Sequence, residues 1–343
     1  MRAIVAALAL LCVAGGARAV GSNGVKDWAA ACDNIGACAA FGFSPEDSDA
    51  DAYLVVKRAA GPEAAPTVVV AFDPGDAQPA AIWRLTLDGH PIAGVGPLHA
   101  AGSDNGARAK LAGAEAVALI DALKNGKTLE LSAGGKPLAM VSLAGSAAVL
   151  LWVDDQQGRV GTVTALVKKG PRPASLVPPP KPAPLILAAP RVSQAGLPKQ
   201  APRSMTKGDS ECDLDPSLIP TPDDVVARLA PGVVLWGPEC TTGAYNVINV
   251  FFIGDEHGGH LKPAAFAGAP GADANHDLMN VTYDAATRVL SSLAKIRGVG
   301  DCGEATSWVW TGKAFELSRE SALEPCRGVS PDDWPTLFVA RTR

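Results

Sequence analysis

The densest group of side chains that could do chemistry lies in the second half of the chain, in the stretch DEHGGH and the residues that follow it. Its potential metal ligands are Asp255, Glu256, His257, His260 and His276. Carboxylates and imidazoles are donors that zinc accepts, and the two glycines between the histidines would let those side chains converge. The spacing matches no zinc signature, however. A polar, glycine-rich stretch after the apolar residues 250–253 is also typical of a solvated hairpin loop, which we favour over a zinc site.

Cysteines form the second reactive set. After Cys12, the chain contains Cys32, Cys38, Cys212, Cys240, Cys302 and Cys326. An even number of cysteines in an exported chain predicts disulfides, and pairing nearest neighbours gives Cys32–Cys38, Cys212–Cys240 and Cys302–Cys326. A reactive thiol needs a nearby cation or a helix N-terminus, whereas Cys302 stands beside Asp301 and Glu304. We therefore predict that Cys302 is structural, with a redox role as the alternative.

Tryptophans are the third candidate group, in a chain of which only 5% is aromatic. Trp308 and Trp310 lie two residues apart, so on a strand they face the same side of the sheet, and Trp334 follows in the C-terminal segment. Such side chains either form a core or line a binding groove. We predict a core, and keep the groove as the alternative.

Signatures of the common enzyme classes are missing from the sequence. It contains no Gly-x-Ser-x-Gly, no His-Glu-x-x-His and no dinucleotide-binding fingerprint, and no pair of carboxylates stands out for acid–base catalysis. We therefore expect no cofactor and a non-catalytic role. A metal-assisted or carboxylate-based hydrolase is the alternative.

The first half of the chain has the pattern of a β-rich α+β domain, predicted to span residues 22–169. Apolar runs predict strands at 53–57, 67–72, 82–88, 128–131 and 137–143, and helical spacing predicts helices at 114–125 and 145–157. An antiparallel sheet with added helices follows from this order.

A proline-rich segment, predicted to span residues 170–208, separates the first half from the second. Ten prolines lie between residues 170 and 203. Because proline lacks a backbone donor and fixes φ, we expect a semi-rigid extended linker.

The second half, predicted to span residues 209–343, begins with Thr-Pro-Asp-Asp at 221–224, which predicts a short helix. Strands are predicted at 233–236, 245–253, 279–283, 288–296, 307–311, 314–318 and 336–340. Short strands at this spacing favour a second sandwich-like domain. The predicted fold class is therefore β-rich α+β, with two antiparallel-sheet, sandwich-like domains joined by a proline-rich linker.

The N-terminus has the features of a secretory leader over residues 1–19. A short basic start precedes an apolar run over residues 3–13, and Ala17-Arg18-Ala19 is a small-x-small cleavage pattern. Removing the leader takes Arg2 and Arg18 from the 30 basic residues, so 28 face 35 acidic ones and the net charge is −7. An acidic surface disfavours nucleic acid and anionic lipid as partners. We expect a periplasmic or secreted protein without stable membrane insertion.

Several stretches together resemble a known family. The segments DWAAACDNIGACAAFGF, VLWGPECTTGAYNV, GVGDCGEATSWVWTGKAFEL and CRGVSPDDWPTLFVAR are similar to the exported proteobacterial family known as domain-of-unknown-function 1176. The first half, through AEAVALIDALKNGKTLEL and MVSLAGSAAVL, also resembles the invasion-associated locus B family. The resemblance implies a periplasmic protein and transfers no catalytic residue. We expect a binding protein whose partner is a protein or glycan component of the cell envelope.

Overall fold

The computed structural model describes residues 22–48, 50–73, 82–103, 106–206, 212, 223–268, 274–275 and 277–343, and the predicted leader lies outside this part. The strands of the first half are β1 (Ser22–Val25), β2 (Trp28–Cys32), β3 (Cys38–Phe43), β4 (Ala52–Arg58), β5 (Thr67–Phe72), β6 (Ile82–Leu87), β7 (His90–Pro91), β8 (Leu98–His99), β9 (Ala101–Ser103), β10 (Gly106–Leu111), β11 (Thr128–Ala133) and β12 (Lys136–Ser142). Helix α1 is Gly113–Leu123 and helix α2 is Ser146–Gln156.

Two antiparallel sheets make up the first half. The larger has the strand order β1-β2-β3-β4-β5-β10-β9, and the smaller has the order β12-β11-β6-β7 with β8 paired to β6. Helix α1 packs against β5, and α2 packs against β1, β2 and β3. The main core lies between these layers, around the buried side chains of Trp28, Leu54, Trp83, Leu119 and Val149.

Antiparallel strands also dominate the second half. Its strands are β13 (Leu185–Ile186), β14 (Val225–Ala230), β15 (Val233–Gly237), β16 (Glu239–Thr242), β17 (Val247–Val250), β18 (Phe252–Gly254), β19 (Lys262–Pro263), β20 (Phe266–Ala267), β21 (Ala274–Asn275), β22 (Asp277–Met279), β23 (Thr282–Asp284), β24 (Val289–Lys295), β25 (Gly303–Trp310), β26 (Phe315–Leu323), β27 (Thr336–Val339) and β28 (Arg341–Thr342). The largest sheet has the order β21-β20-β26-β25-β24-β23, and β27 pairs with β26. The predicted β-rich class with antiparallel sheets and a few helices is confirmed.

An aromatic cluster organises the core of the second half. Phe266 lies at its centre, with ring centroids 5.4 Å from Phe251, 5.3 Å from Trp308 and 5.0 Å from Phe315. Trp310 extends the cluster, its ring centroid 5.1 Å from that of Phe315. Tilted and edge-on contacts of this kind are the favoured geometry for aromatic pairs. The cluster therefore fixes how β20, β25 and β26 pack together.

The two halves share an apolar layer. Strands β3, β4 and β5 are apolar on both faces, and their alternate residues belong to two different clusters. Leu54 and Val70 face the core of the first half, whereas Phe41 and Val55 face Trp334 from the second half. A strand that is covered on both sides reads as a continuous apolar run rather than an alternating one. The second half is thus packed on the outer face of the first sheet.

The described part of the proline-rich segment, residues 170–206, forms a strap along both halves. It is extended, as expected for its prolines, but it differs from the free spacer predicted above because it is packed and hydrogen-bonded. Lys181 N–H donates to the carbonyl of Ile35 at 3.2 Å, and Ala189 N–H donates to that of Trp310 at 2.9 Å. Strand β13 pairs in parallel with β28, and Val177 and Ile186 are buried. The strap therefore contacts both halves along its length.

The helix predicted to begin at residue 221 is wrong over the described residues. Residues 221–222 lie outside the described part, and Val225–Ala230 is strand β14, which pairs with β15. The carboxylate of Asp224 accepts N–H groups from Ala201 and Glu239, both at 2.8 Å, rather than capping a helix. Tertiary hydrogen bonds and the β-branched residues of β14 override the local helix signal.

Candidate functional site

A cleft of about 460 Å³ opens where the two halves meet. One wall is the turn between β2 and β3, together with the ends of β4 and β5, and the other is formed by β26 and the start of β27. The polar and aromatic side chains that line it are Asp33, Lys57, Arg58, Thr67, Arg319, Asp332, Trp334 and Thr336. It thus combines cationic, carboxylate, hydroxyl and aromatic groups in one concave surface, and small-molecule sites are typically concave.

The turn between β2 and β3 is held rigidly. Oδ1 of Asp33 accepts the backbone N–H groups of Ile35 at 3.0 Å and Ala37 at 2.8 Å, and the Cys32–Cys38 disulfide closes the base of the turn. Burial raises the pKa of Asp33 above its ordinary value, although these N–H groups oppose the shift. Asp33 therefore organises the turn that forms this wall.

Asn34 fastens the same turn to the second half. Its Nδ2 donates to the carbonyl of Val339 at 3.0 Å, and its Oδ1 accepts the N–H of Val339 at 2.8 Å. The side-chain amide of Asn34 thus bonds both backbone groups of Val339, as a neighbouring strand would, and its own NH₂ and carbonyl oxygen both have partners. The cleft walls are consequently held at a defined separation.

Arg319 presents a cation on the opposite wall. It is exposed, and its Nη2 donates to Oγ1 of Thr336 at 3.0 Å. No carboxylate of the described residues comes within 4.0 Å of its guanidinium, but its charge opposes the rise in the pKa of Asp33. Trp334 beside it is buried and donates its Nε1–H to the carbonyl of Val329 at 3.1 Å. The wall thus offers a guanidinium and a hydroxyl next to the edge of a fixed indole.

An ion network anchors this wall from behind. The buried carboxylate of Asp333 accepts Tyr53 Oη at 2.9 Å, Lys57 Nζ at 2.6 Å and Arg108 Nη1 at 3.3 Å, and Arg108 also pairs with Asp332 at 3.0 Å. Burial, reinforced by the Asp333 carboxylate, raises the pKa of Tyr53 well above its ordinary value. Tyr53 therefore stays a neutral donor, and the network ties β4 and β10 to the segment that carries Trp334.

The cleft offers polar groups of both charges. Its described lining includes the guanidiniums of Arg58 and Arg319, the amine of Lys57, the carboxylates of Asp33 and Asp332, and two threonine hydroxyls. Guanidiniums and hydroxyls are groups that recognise an anion attached to a polar body.

Comparison with known proteins identifies the family. The model of the family described as "Protein of unknown function (DUF1176)" matches residues 22–341. The chain belongs to the DUF1176 family. The uncharacterized protein YpfG of Escherichia coli (strain K12) is 30% identical over an alignment of 355 positions, which covers 92% of each chain. No solved structure matches this DUF1176 chain, and the comparisons do not show the resemblance to the invasion-associated locus B family.

Four of the five predicted metal ligands of the DUF1176 chain lie in the loop after β18, namely Asp255, Glu256, His257 and His260. Oδ1 of Asp255 accepts the N–H groups of His257 at 2.9 Å and Gly259 at 2.8 Å, and these bonds lower the pKa of Asp255. Glu256 pairs with Arg228 at 2.9 Å. His257 and His260 are exposed, and in the described part of the loop no three donors gather within ligand distance. His276 lies outside the described residues, so the zinc site stays a prediction.

The cysteines of this DUF1176 protein form the three predicted disulfides. Cys32 is bonded to Cys38, Cys212 to Cys240 and Cys302 to Cys326. Asp301, Cys302 and Cys326 are the group of three potential metal donors within the described residues, but both sulfurs are joined to each other. Asp301 instead pairs with Arg297 and accepts the N–H of Gly328 at 2.7 Å. Cys302 is therefore a structural staple.

The tryptophans proposed for binding have different positions. Trp308 and Trp310 are buried in the aromatic core, and Trp308 donates its Nε1–H to the carbonyl of Ala267 at 2.8 Å. Trp334 lines the cleft.

The sequence analysis did not identify Arg319, Asn34 and Asp333, which come from segments far apart in the chain. The available signal was the unbroken apolar run of β3, β4 and β5, which indicates a sheet covered on both faces.

Neither α-helix in the described part of this DUF1176 chain has the length and apolar character needed to cross a lipid bilayer. Three disulfides are typical of chains that fold in an oxidising compartment outside the cytoplasm.

Proposed function

We propose that this protein is a non-catalytic binding protein of the bacterial cell envelope, and that the cleft between its halves holds an acidic glycan. The observation that carries the proposal is the exposed guanidinium of Arg319, which has no carboxylate within 4.0 Å among the described residues and lies beside the Thr336 hydroxyl and Trp334. A guanidinium recognises a carboxylate with two parallel hydrogen bonds. The threonine hydroxyls then suit the hydroxyl groups of a sugar ring, and Trp334 adds an apolar surface to the cleft lining.

The shape of the site favours a glycan over a protein partner. A concave cleft of about 460 Å³ is within the range of sites that take small ligands, roughly 300 to 1,000 Å³. A stable protein interface needs about 800 Å² of complementary surface on each partner. The cleft fits one or two sugar rings rather than such a surface.

A periplasmic location is part of the proposal. The leader-like pattern of residues 1–19, the three disulfides and the acidic balance of the chain support it. The intact mass of the protein recovered from osmotic-shock fluid should correspond to a chain that begins at Val20. Recovery of the protein only from the cytoplasm, with residues 1–19 still attached, would contradict the proposed periplasmic location.

Calorimetric titration with a matched ligand pair tests the proposal. We expect the disaccharide of N-acetylglucosamine and N-acetylmuramic acid to bind, and chitobiose, which lacks the lactyl carboxylate, to bind at least tenfold more weakly. Arg319→Ala should weaken binding of the acidic disaccharide by roughly tenfold, because a hydrogen bond to a charged group contributes about 1.5 to 3 kcal/mol. The recovered disaccharide should have an unchanged mass.

Arg84→Ala is the matched control, since Arg84 is an exposed arginine on β6 outside the cleft. It should bind the acidic disaccharide within twofold of the wild type. Equal affinity in Arg319→Ala and the wild type, or an equal loss in both variants, would contradict the assignment. Cleavage of the disaccharide would favour the hydrolase alternative instead.

A further inference from the structure

A second cavity, of about 320 Å³, lies beside the cleft and shares Arg58 and Ala65 with it. Its walls are α1, the segment between β4 and β5, and the segment after α2. The apolar side chains that enclose it include Pro62, Pro66, Val117, Ile120, Val163 and Leu166. Val117 and Val163 are 40% and 55% exposed, which places apolar side chains at its mouth. The cavity therefore offers an apolar interior that is open to solvent.

Two buried arginines lie close together here, and Arg58 is the one that lines the cavity. Arg58 donates Nε to the carbonyl of Ala64 at 3.0 Å and Nη1 to that of Thr164 at 2.7 Å. Arg159, which is fully buried, donates Nη1 to Oγ1 of Thr164 at 3.0 Å and Nη2 to the carbonyl of Gly61. The acceptors of these hydrogen bonds are all neutral.

The cluster has two guanidiniums for one carboxylate. Asp154 acts electrostatically on both guanidiniums, and its oxygens accept the N–H groups of Leu166 at 2.8 Å and Val167 at 2.9 Å. Neither guanidinium has a carboxylate within 4.0 Å in the described part of the chain. Burial, with a smaller effect of Arg159, lowers the pKa of Arg58 to about 10. Buried charge normally has a partner because its desolvation is costly.

We propose that this cavity binds a single-chain anionic amphiphile, with the chain against Val117, Ile120 and Leu166 and the anionic head group at Arg58. The volume is at the lower end of the range for ligand sites, which suits one aliphatic chain rather than two. An anion at Arg58 would balance the positive charge that Asp154 leaves in excess, while the chain removes apolar surface from water. The head group would lie at Arg58, which also lines the acidic glycan cleft, whereas the chain occupies residues that line this cavity alone.

Displacement of 1-anilinonaphthalene-8-sulfonate tests the proposal on the full mature chain. Palmitate should displace this probe, whereas hexadecanol, which has the same chain without the charge, should bind at least tenfold more weakly. Val117→Trp, which fills the mouth of the cavity, should weaken palmitate binding at least tenfold. Val163→Trp, at the more exposed side chain, provides a second filling variant if the first does not fold.

Leu187→Trp is the matched control, because Leu187 is 64% exposed and does not line the cavity. It should bind palmitate within twofold of the wild type, and Val117→Trp should still bind the acidic disaccharide. Tighter displacement by lysophosphatidylglycerol than by palmitate would identify a phospholipid source, and the reverse order a free fatty acid. Equal binding of palmitate and hexadecanol, or undiminished palmitate binding in both filling variants, would overturn the proposal.

Discussion

Replacing Asp333 by asparagine should lower the free energy of unfolding by about 3 kcal/mol, because it leaves three donors around a neutral amide in a buried position. Asp333 is 2% exposed and accepts Tyr53, Lys57 and Arg108. Breaking a buried ion pair typically costs about 3 to 5 kcal/mol. We expect the lower end of this range because the side chains of Lys57 and Arg108 are 36% and 32% exposed, so water can hydrate them after the substitution. Urea unfolding monitored by tryptophan fluorescence gives the value.

Asp332→Asn is the control for this prediction, because Asp332 also pairs with Arg108 but does so at the protein surface. The Asp332 side chain is 72% exposed and pairs with Arg108 at 3.0 Å. Exposed ion pairs contribute about 0 to 1 kcal/mol. We therefore expect a loss below about 1 kcal/mol. If the two variants lost equal stability, the proposed role of Asp333 in joining the halves would be wrong.

Removing the Cys302–Cys326 disulfide by a double substitution to alanine should lower the free energy of unfolding by about 3.5 kcal/mol. The two cysteines are 24 residues apart, and the cost of closing a loop of that length in the unfolded chain sets this magnitude. Cys302 is also fully buried, so its truncation adds a small packing loss. Urea unfolding of the oxidised proteins measures the difference.

The Cys32–Cys38 double variant serves as the comparison. These cysteines are six residues apart, so the same reasoning gives a smaller loss of about 2.3 kcal/mol. The order of the two losses is the informative result. A larger loss in the Cys32–Cys38 variant would show that packing or strain, rather than loop closure, determines how these bridges stabilise the protein.

Local patterns in the sequence predict the elements that depend on local interactions. Helix α1 was expected at 114–125 and spans Gly113–Leu123, and β5 has the predicted bounds of Thr67–Phe72. Both have strong periodicity or β-branched residues, which act within a few positions of the chain. The helix expected from residue 221 failed because Asp224 makes its hydrogen bonds with Ala201 and Glu239 instead.

The cleft could not be predicted in the same way. Its walls come from residues 33–39, 57–67 and 319–336, which tertiary packing alone brings together. Arg319 resembles any other exposed strand arginine until Thr336 and Trp334 are placed beside it. The stretch at 255–260 differs, because the sequence analysis favoured a loop there and the described residues form a turn in which Asp255 accepts backbone N–H groups.

Hydrogen–deuterium exchange with and without the disaccharide of N-acetylglucosamine and N-acetylmuramic acid tests the central claim most directly. Binding in the cleft should slow the exchange of backbone amides in residues 33–39, 57–67 and 334–336, while residues 255–262 and 303–310 stay unchanged. Slower exchange in the loop at 255–262 without protection of the cleft segments, or no protection at saturating disaccharide, would contradict the account.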